Sequence, residues 1–246
     1  MDFSSADPVI AVFIVIPVLL VVALVWGTAA AWRRSGASSA TATRVSLVIG
    51  AAAVAWMTAT WAIAQAGILR NWNQNPPPFA LLVAAIVALS AGLSFSSVGR
   101  HLAQCLPLWV LVAVQGFRLP LELTMHTMYE RGIMPREMSY SGRNFDIVTG
   151  VTAIIVAAVV ATGRGGRRLV TSWNVLGLAL LLNVVIVAIL GTPRFQYFGA
   201  ERLNVWVTYP PFVWLPAVMV LAALAGHLVI FRALRLHGRI HSSGEV

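Results

Sequence analysis

Four residues that could carry chemistry follow one another at helical spacing in the middle of the chain: Arg118, Glu122, His126 and Glu130. At about 100° per residue they fall within about 120° of one another on one helix face, and Gln115 shares that face. We call this face the polar stripe. A carboxylate and an imidazole held in this way can bind a metal ion or transfer a proton, and a guanidinium can bind an anion.

A metal site is one hypothesis for the polar stripe. Glu122, His126 and Glu130 stand at i, i+4 and i+8, and Asp146 from the next segment could complete a ligand set. Nitrogen and oxygen ligands of this kind suit Zn²⁺ or another transition metal. The neighbouring Arg118 argues against the hypothesis, because its positive charge opposes that of a cation.

A site for a small polar or anionic molecule, such as a lipid headgroup, is the second hypothesis. Arg118 would attract the ligand, and His126 could serve as an acid or a base. The candidate ligand-binding residues are Arg118, Glu122, His126, Asn144, Asp146 and Asn183.

The three later candidates also have structural interpretations. Asn144 or Asp146 could cap the helix that follows them, or Asp146 could be aimed at His126 or Arg118. An isolated asparagine such as Asn183 within an apolar block is more typical of a hydrogen bond between helices. A purely structural network that holds four helices together is therefore the third interpretation of the polar stripe.

The apolar sequence before the stripe, residues 105–114, is too short to cross a bilayer, so Arg118 and Glu122 are predicted to lie at hydrocarbon depth. A charged residue at the centre of a membrane helix costs about 2.5–3.5 kcal/mol. An i,i+4 ion pair returns only about 0.2–0.5 kcal/mol. The pair cannot offset its own burial, so the sequence predicts partners on other helices or an ordered polar cavity. Pro120 predicts a kink beside the charges.

The elements that position these residues are predicted to be membrane-spanning helices. Of 246 residues, 59% are hydrophobic and only 10% are charged, and the mean hydropathy is +0.83. Apolar blocks of about 20 residues match the hydrocarbon thickness of a bilayer and lack the alternating polarity of barrel strands. We therefore expect one all-α domain, a polytopic bundle of about seven transmembrane helices. Their expected bounds are 8–32, 45–69, 79–99, 102–128, 146–163, 169–191 and 206–231.

The basic residues predict the orientation of the bundle. If the odd-numbered loops are cytoplasmic, ten of the 17 arginines lie inside and six outside. Cytoplasmic loops carry an excess of Arg and Lys, so we expect an external amino terminus and a cytoplasmic carboxy terminus in a bacterial inner (plasma) membrane. Aromatic residues at the outer end of the last block suggest a belt at the headgroup level. They are Trp206, Tyr209, Phe212 and Trp214.

Composition excludes several classes of function. The chain has no lysine, which rules out a retinal Schiff base in spite of the seven-helix pattern. Most arginines flank apolar blocks, so the net charge of +9 indicates topological anchors and not nucleic-acid binding. His101 and His227 are predicted near the cytoplasmic ends of their helices, remote from His126. A haem held by these two is a weaker hypothesis than two interfacial histidines.

The stretch from about Gln115 to Arg232 resembles an uncharacterised family of bacterial seven-helix membrane proteins. The resemblance rests on three short motifs. They are Arg118-Leu-Pro120-Leu-Glu122 with His126, Gly142-Arg143-Asn144-Phe-Asp146, and Asn174-Val-Leu-Gly177 with Asn183. The resemblance implies the fold but no activity, and the first hundred residues add nothing to it.

These observations lead to one expectation for function and two alternatives. We expect a multi-pass protein of the lipid bilayer with a polar, extracytoplasmic-facing pocket on helices four to seven that binds a small polar or anionic ligand or a metal. One alternative is a non-catalytic subunit that packs against a larger membrane complex. The other is an intramembrane metal-dependent enzyme, which would need His126 and the carboxylates around one cavity.

Overall fold

The chain folds into a bundle of helices. The computed structural model describes residues 7–242, with side chains for residues 7–236, and this part of the chain contains no β-strand. The α-helices are α1 (Pro8–Arg34), α2 (Ser39–Gln65), α3 (Pro78–Phe95), α4 (Ser97–Cys105), α5 (Leu108–Val114), α6 (Arg118–Glu130), α7 (Ile147–Ala161), α8 (Arg167–Leu190) and α9 (Leu221–Ser242).

Six helical segments are long and apolar enough to cross a membrane, which confirms a multi-pass membrane architecture. They comprise α1, α2, α3, the continuous run Leu108–Glu130, α8 and the run Leu215–Leu236. The α7 helix is apolar but has only 15 residues. At about 1.5 Å per residue it is about 22 Å long, less than the ~30 Å of hydrocarbon.

Local sequence fixes where several helices begin. The Asp7 carboxylate accepts a hydrogen bond from Val9 N at 2.9 Å, and the Ser38 hydroxyl accepts one from Thr41 N at 3.2 Å. Side-chain oxygens at the N-cap satisfy amides that have no partner within the helix. The α3 helix instead begins at Pro78, which needs no amide partner in the first turn.

The predicted fourth helix is interrupted twice. Pro107 separates α4 from α5, and the 3₁₀ turn Gln115–Phe117 separates α5 from α6. Pro120 lies in the first turn of α6, where its missing amide costs little. The predicted irregularity beside the charges is therefore present as a 3₁₀ turn just before Arg118.

The segment between α6 and α7 folds back into the bundle, which explains why α7 is short. Its residues Met134, Met138, Ser139 and Asn144 are buried, and it delivers Asp146 to the side of Arg118, at the start of α6. The α7 helix therefore begins deep in the bundle. Irregular backbone is tolerated at membrane depth only where protein buries it or a cavity borders it.

The last predicted block is also corrected. Residues 206–214 precede the membrane helix, which begins as a π-helix at Leu215–Val220 and continues as α9. Trp206 and Phe212 are fully buried and pack edge-on against Phe13, with ring centroids 5.8 and 5.1 Å away. These two aromatic residues belong to the core, and not to a headgroup belt.

The α9 helix and its π-helical start form the centre of the bundle. The α9 helix packs against α3, α4, α5 and α8, and the π-helix contacts α1, α2 and α3. Hydroxyl groups of Ser90 and Ser94 on α3 donate to the carbonyls of Leu221 and Ala225 at 3.2 and 3.1 Å. In a membrane, such hydrogen bonds between helices supplement the packing of side chains.

Candidate ligand-binding site

Arg118 lies near the middle of its membrane span, and its side chain is only 1% exposed. Its Nη1 donates to Asp146 Oδ1 at 2.9 Å, and Nη2 lies 3.1 Å from His227 Nε2. A longer contact of 3.5 Å joins Nη1 to the Gly177 carbonyl. These partners come from the start of α7, from α9 and from α8. The prediction that a buried Arg118 needs partners on other helices is confirmed.

Glu122 does not form the ion pair expected from its spacing, because Arg118 pairs with Asp146 instead. The Glu122 Oε2 accepts a hydrogen bond from Asn144 Nδ2 at 2.8 Å. The same nitrogen of Asn144 donates to the Met138 carbonyl at 3.0 Å, and Asn144 Oδ1 accepts from Asp146 N at 3.0 Å. Asn144 thus connects Glu122 to the chain that carries Asp146.

Asp146 stands at the N-cap position of α7, but its side chain makes no capping hydrogen bond. Its carboxylate is aimed at Arg118, as one of the sequence hypotheses proposed. The capping interpretation is wrong for Asp146, whereas Asn144 does support the turn before the helix by accepting from Asp146 N.

His227 requires a correction, since it belongs to this cluster and does not lie at a helix end. It is fully buried and lies close to the midpoint of the span Leu215–Leu236. Because the Arg118 guanidinium can only donate, His227 Nε2 accepts, and Nδ1 carries the proton. Nδ1 then donates to Asn174 Oδ1 at 2.7 Å, and Asn174 Nδ2 donates to the His227 carbonyl at 3.1 Å. His227 is therefore held as the neutral tautomer.

Gly177 makes room for the histidine. A Cβ atom at this position would come within 2.7 Å of His227 Cε1 and 2.9 Å of Thr149 Cγ2. The close approach of α8 to α7 and α9 at this level therefore depends on the absence of a side chain at Gly177.

His126 and Glu130 lie apart from the buried cluster. His126 stacks on Tyr140 at 4.2 Å, and its Nδ1 lies 3.2 Å from Ser141 Oγ. Its Nε2 faces the exposed Glu130 at 3.5 Å. The polar stripe thus divides into a buried part around Arg118 and Glu122 and a more exposed part around His126.

The four proposed metal ligands are not brought together. Glu122 and Asp146 lie beside Arg118, whereas His126 and Glu130 pair with each other. Within residues 7–236 there is no group of three or more His, Cys, Asp or Glu side chains that could hold a metal ion.

The two histidines of the haem hypothesis have unrelated partners. His101 stacks on Trp32 at 3.9 Å, and its Nδ1 bonds the Ser97 carbonyl. His227 is occupied by Arg118 and Asn174 on its two ring nitrogens. The remaining histidines, His237 and His241, lie outside the described side chains.

Asn183 acts between segments. Its Nδ2 donates to the Arg143 carbonyl at 2.7 Å, which ties α8 to the segment that precedes Asn144. The interpretation of Asn183 as a hydrogen-bonding residue between elements agrees with this geometry. Asn183 does not line the cavity described next.

A cavity of about 110 Å³ borders the buried part of the stripe, between α3, α6, α8 and the π-helix with α9. Arg118, Glu122 and Asp146 are its charged lining residues, and the other walls are apolar side chains. We call it the Arg118 cavity. Although Arg118 is buried, its Nε has no hydrogen-bond partner. Val87 and Leu182 also line the cavity and are about half exposed, so it opens towards the lipid-facing surface.

Sequence reasoning missed His227 and Asn174 as members of the cluster. Counting back from Arg232 placed His227 near a helix end, but α9 continues as a helix to Ser242. The available signal was a polar residue on each of two apolar helices, with Gly177 one turn from Asn174. That pattern is typical of close helix packing around polar groups.

The comparison with protein families covers the same region. Residues 76–235, about two thirds of the chain, match a family described as a domain of unknown function (DUF8737). The chain belongs to the DUF8737 family. The DUF8737 region begins just before α3 and includes Arg118 and its partners Asp146, Gly177 and His227, while α1 and α2 precede it. No curated protein and no solved structure matches the chain.

Proposed function

We propose that this DUF8737 protein is a membrane receptor or carrier that binds a small molecule. The small molecule inserts a polar group into the Arg118 cavity. The single observation that supports the proposal is the Nε of Arg118, a buried donor without a partner on a side chain that lines a cavity. Leaving a buried donor unpaired costs about 1–3 kcal/mol, more for a charged group. A hydrogen-bond acceptor on a ligand would remove that cost.

Charge favours a neutral acceptor over an anion. Asp146 already balances Arg118 in an ion pair of 2.9 Å, and Glu122 stands beside them. An added anion would have to approach two carboxylates in a medium of low dielectric constant. A carbonyl, ether or ester oxygen meets Arg118 Nε without that repulsion.

Size and access favour a molecule that comes from the membrane. A volume of about 110 Å³ is below the ~300 Å³ typical of sites that enclose a whole ligand. The apolar walls suit a hydrocarbon body, and the opening beside Val87 and Leu182 lets that body remain in lipid.

The alternatives draw less support. An enzyme built on the polar stripe would need His126 at the cavity, yet His126 packs on Tyr140. A metal cation bound by Glu122 and Asp146 would be repelled by the positive charge of Arg118 beside them. A subunit that docks through the stripe would expose Arg118 and Glu122, but both are buried.

We also propose that the chain crosses the membrane seven times. The α7 helix and the inward-folded segment before it could together cross the bilayer, since α7 packs beside α5, α6 and α8. The excess of arginine in alternate loops favours an external amino terminus, a cytoplasmic carboxy terminus and the inner membrane of a bacterium.

Filling the cavity tests the proposal. Ala188 on α8 lines it, so Ala188→Phe would occupy its volume. Ala179 on the same helix is exposed and outside the cavity, and Ala179→Phe is the matched control. Small molecules extracted from the purified proteins are compared by mass spectrometry. We expect a compound with the wild type and Ala179→Phe that is depleted at least tenfold with Ala188→Phe. Identical extracts from all three proteins would overturn the proposal.

A further inference from the structure

A second and larger cavity lies on the other side of α9. It has a volume of about 360 Å³ and is bordered by α1, α2, α3, α4, α5 and the π-helix with α9. Different faces of the central helix line the two cavities. Met219 and Ala223 line the first cavity, and Val218 and Ala222 line the second. The central helix is therefore the wall between two separate spaces.

Gln115 lines this second cavity, and one of its two side-chain polar atoms lacks a hydrogen-bond partner. It is 1% exposed, and its Nε2 donates to the Ala223 carbonyl at 3.3 Å. Its Oε1 is buried and accepts no hydrogen bond. Gly226 lies against the amide so closely that a Cβ atom there would collide with Gln115 Nε2. The fold thus holds Gln115 in place while leaving one strong acceptor unused.

The lining of the cavity limits what that acceptor can meet. Apart from Gln115, the lining side chains that carry a polar nitrogen or oxygen are Trp26 and Trp56. Trp26 is exposed on the surface of the bundle, and the indole nitrogen of Trp56 already donates to the Ala217 carbonyl at 2.8 Å. A buried water needs two to four polar partners, and Gln115 Oε1 is the buried side-chain atom of this lining that is left without one. No charged side chain of the described residues lines it, so a cationic donor would enter without a counter-charge.

We propose that this second cavity binds a membrane-soluble, largely apolar molecule with one hydroxyl group, which donates its hydrogen to Gln115 Oε1. A neutral hydroxyl satisfies the acceptor, and a hydrocarbon body fills the apolar walls. The volume of about 360 Å³ falls in the range of ~300–1,000 Å³ typical of small-molecule sites.

The ligand can enter from the bilayer. Trp26, Ala52 and Leu89 line the cavity from α1, α2 and α3, and all three are exposed on the surface of the bundle. The α2 helix packs on α1 and touches the π-helix, but it has no extensive contact with α3. The gap between α2 and α3 therefore joins the cavity to the hydrocarbon region.

The probe that tests this proposal is 1-dodecanol with a photoreactive diazirine on its chain, beside the methyl ether of the same compound. The two share the hydrocarbon body, and only the alcohol can donate. Full-length protein in lipid nanodiscs is labelled at increasing probe concentration, and labelled peptides are identified by mass spectrometry. We expect saturable labelling of α1 and α2 peptides by the alcohol, with about tenfold weaker binding of the ether, equivalent to about 1.4 kcal/mol.

Two variants locate the site. Gln115→Met keeps the length of the side chain but removes the acceptor, and it should weaken alcohol binding about tenfold while leaving ether binding unchanged. Ala53→Phe fills the cavity and should abolish saturable labelling, whereas Ala55→Phe, on an exposed position of the same helix, should not.

Equal labelling by alcohol and ether in the wild type would overturn the proposal. Unchanged labelling in Ala53→Phe would do the same. The wild-type comparison of the two probes decides the matter even if Gln115→Met fails to insert. The outcome is independent of the Arg118 cavity, because none of these variants alters a residue that lines it.

Discussion

Replacing the Asp146 carboxylate should destabilise the protein far more than replacing that of Glu122. Asp146→Asn and Glu122→Gln are matched, since each exchanges one buried carboxylate for an amide of the same shape. Only Asp146 pairs with Arg118, at 2.9 Å. Removing one partner of a buried ion pair typically costs about 3–5 kcal/mol.

The contacts that remain in each variant set the expected loss in the free energy of unfolding. After Asp146→Asn, Arg118 keeps its contacts with His227 and the Gly177 carbonyl, so we expect a loss near the lower limit, about 3 kcal/mol. In Glu122→Gln, the amide oxygen can still accept from Asn144, and we expect a loss below about 1 kcal/mol.

A double variant separates lost charge balance from lost packing. Arg118→Met with Asp146→Leu removes both charges and should recover most of the stability lost in Asp146→Asn, since apolar replacements of buried ion pairs are often tolerated. It should remain about 1 kcal/mol below the wild type, because His227 Nε2 loses its donor.

The measurement is the free energy of unfolding in mixed micelles, followed by tryptophan fluorescence as denaturing detergent is added. A Glu122→Gln variant as unstable as Asp146→Asn would refute the reasoning, because it would show that the pair within α6 carries the stability. A double variant less stable than Asp146→Asn would refute it too.

Three further outcomes follow from the same geometry. Gly177→Ala should cost about 1–3 kcal/mol by the same unfolding assay, since its Cβ would stand 2.7 Å from His227 Cε1; a variant as stable as the wild type contradicts the close packing. Asn174→Leu should lower the free energy of unfolding by about 1–3 kcal/mol, because it leaves the Nδ1 proton of His227 without an acceptor. Nitrogen NMR of the imidazole should then show that a single tautomer is no longer held. An unchanged spectrum would contradict the tautomer assignment. Cysteine at the exposed Ser141 should react with an impermeant thiol reagent on intact cells, whereas cysteine at the exposed Gly166 should react only after lysis; the reverse pattern would invert the proposed topology.

Much of the helical architecture follows from the sequence. Six of the seven apolar blocks overlap the six membrane-length helical segments of the described chain, because hydrocarbon demands about 20 apolar residues whatever the fold. The blocks fail where helices are irregular. Periodicity alone does not reveal the break at Pro107, nor that residues 206–213 form a short 3₁₀ turn and further turns before the membrane helix, with Trp206 and Phe212 in the core.

The site was predictable only in part. Burial energetics alone showed that Arg118 needs a partner outside its own helix, and one hypothesis for Asp146 aimed its side chain at His126 or Arg118. The sequence did not reveal that Asn144 would donate a hydrogen bond to Glu122, or that His126 would lie beside Ser141 and apart from Arg118. Those arrangements depend on the inward path of residues 131–146, which no local pattern encodes.

The sequence by itself determined that this protein is a helical membrane bundle with a charge that its own helix cannot compensate. Both conclusions rest on transfer energies, which depend on residue type and depth. Only the tertiary structure decided that His227 and Asn174 complete the cluster, and that Gln115 faces a separate cavity across α9. These contacts join residues that are about 50 to 110 positions apart, and they depend on how the helices are rotated and offset against one another. Side-chain packing sets that register, and helical periodicity does not.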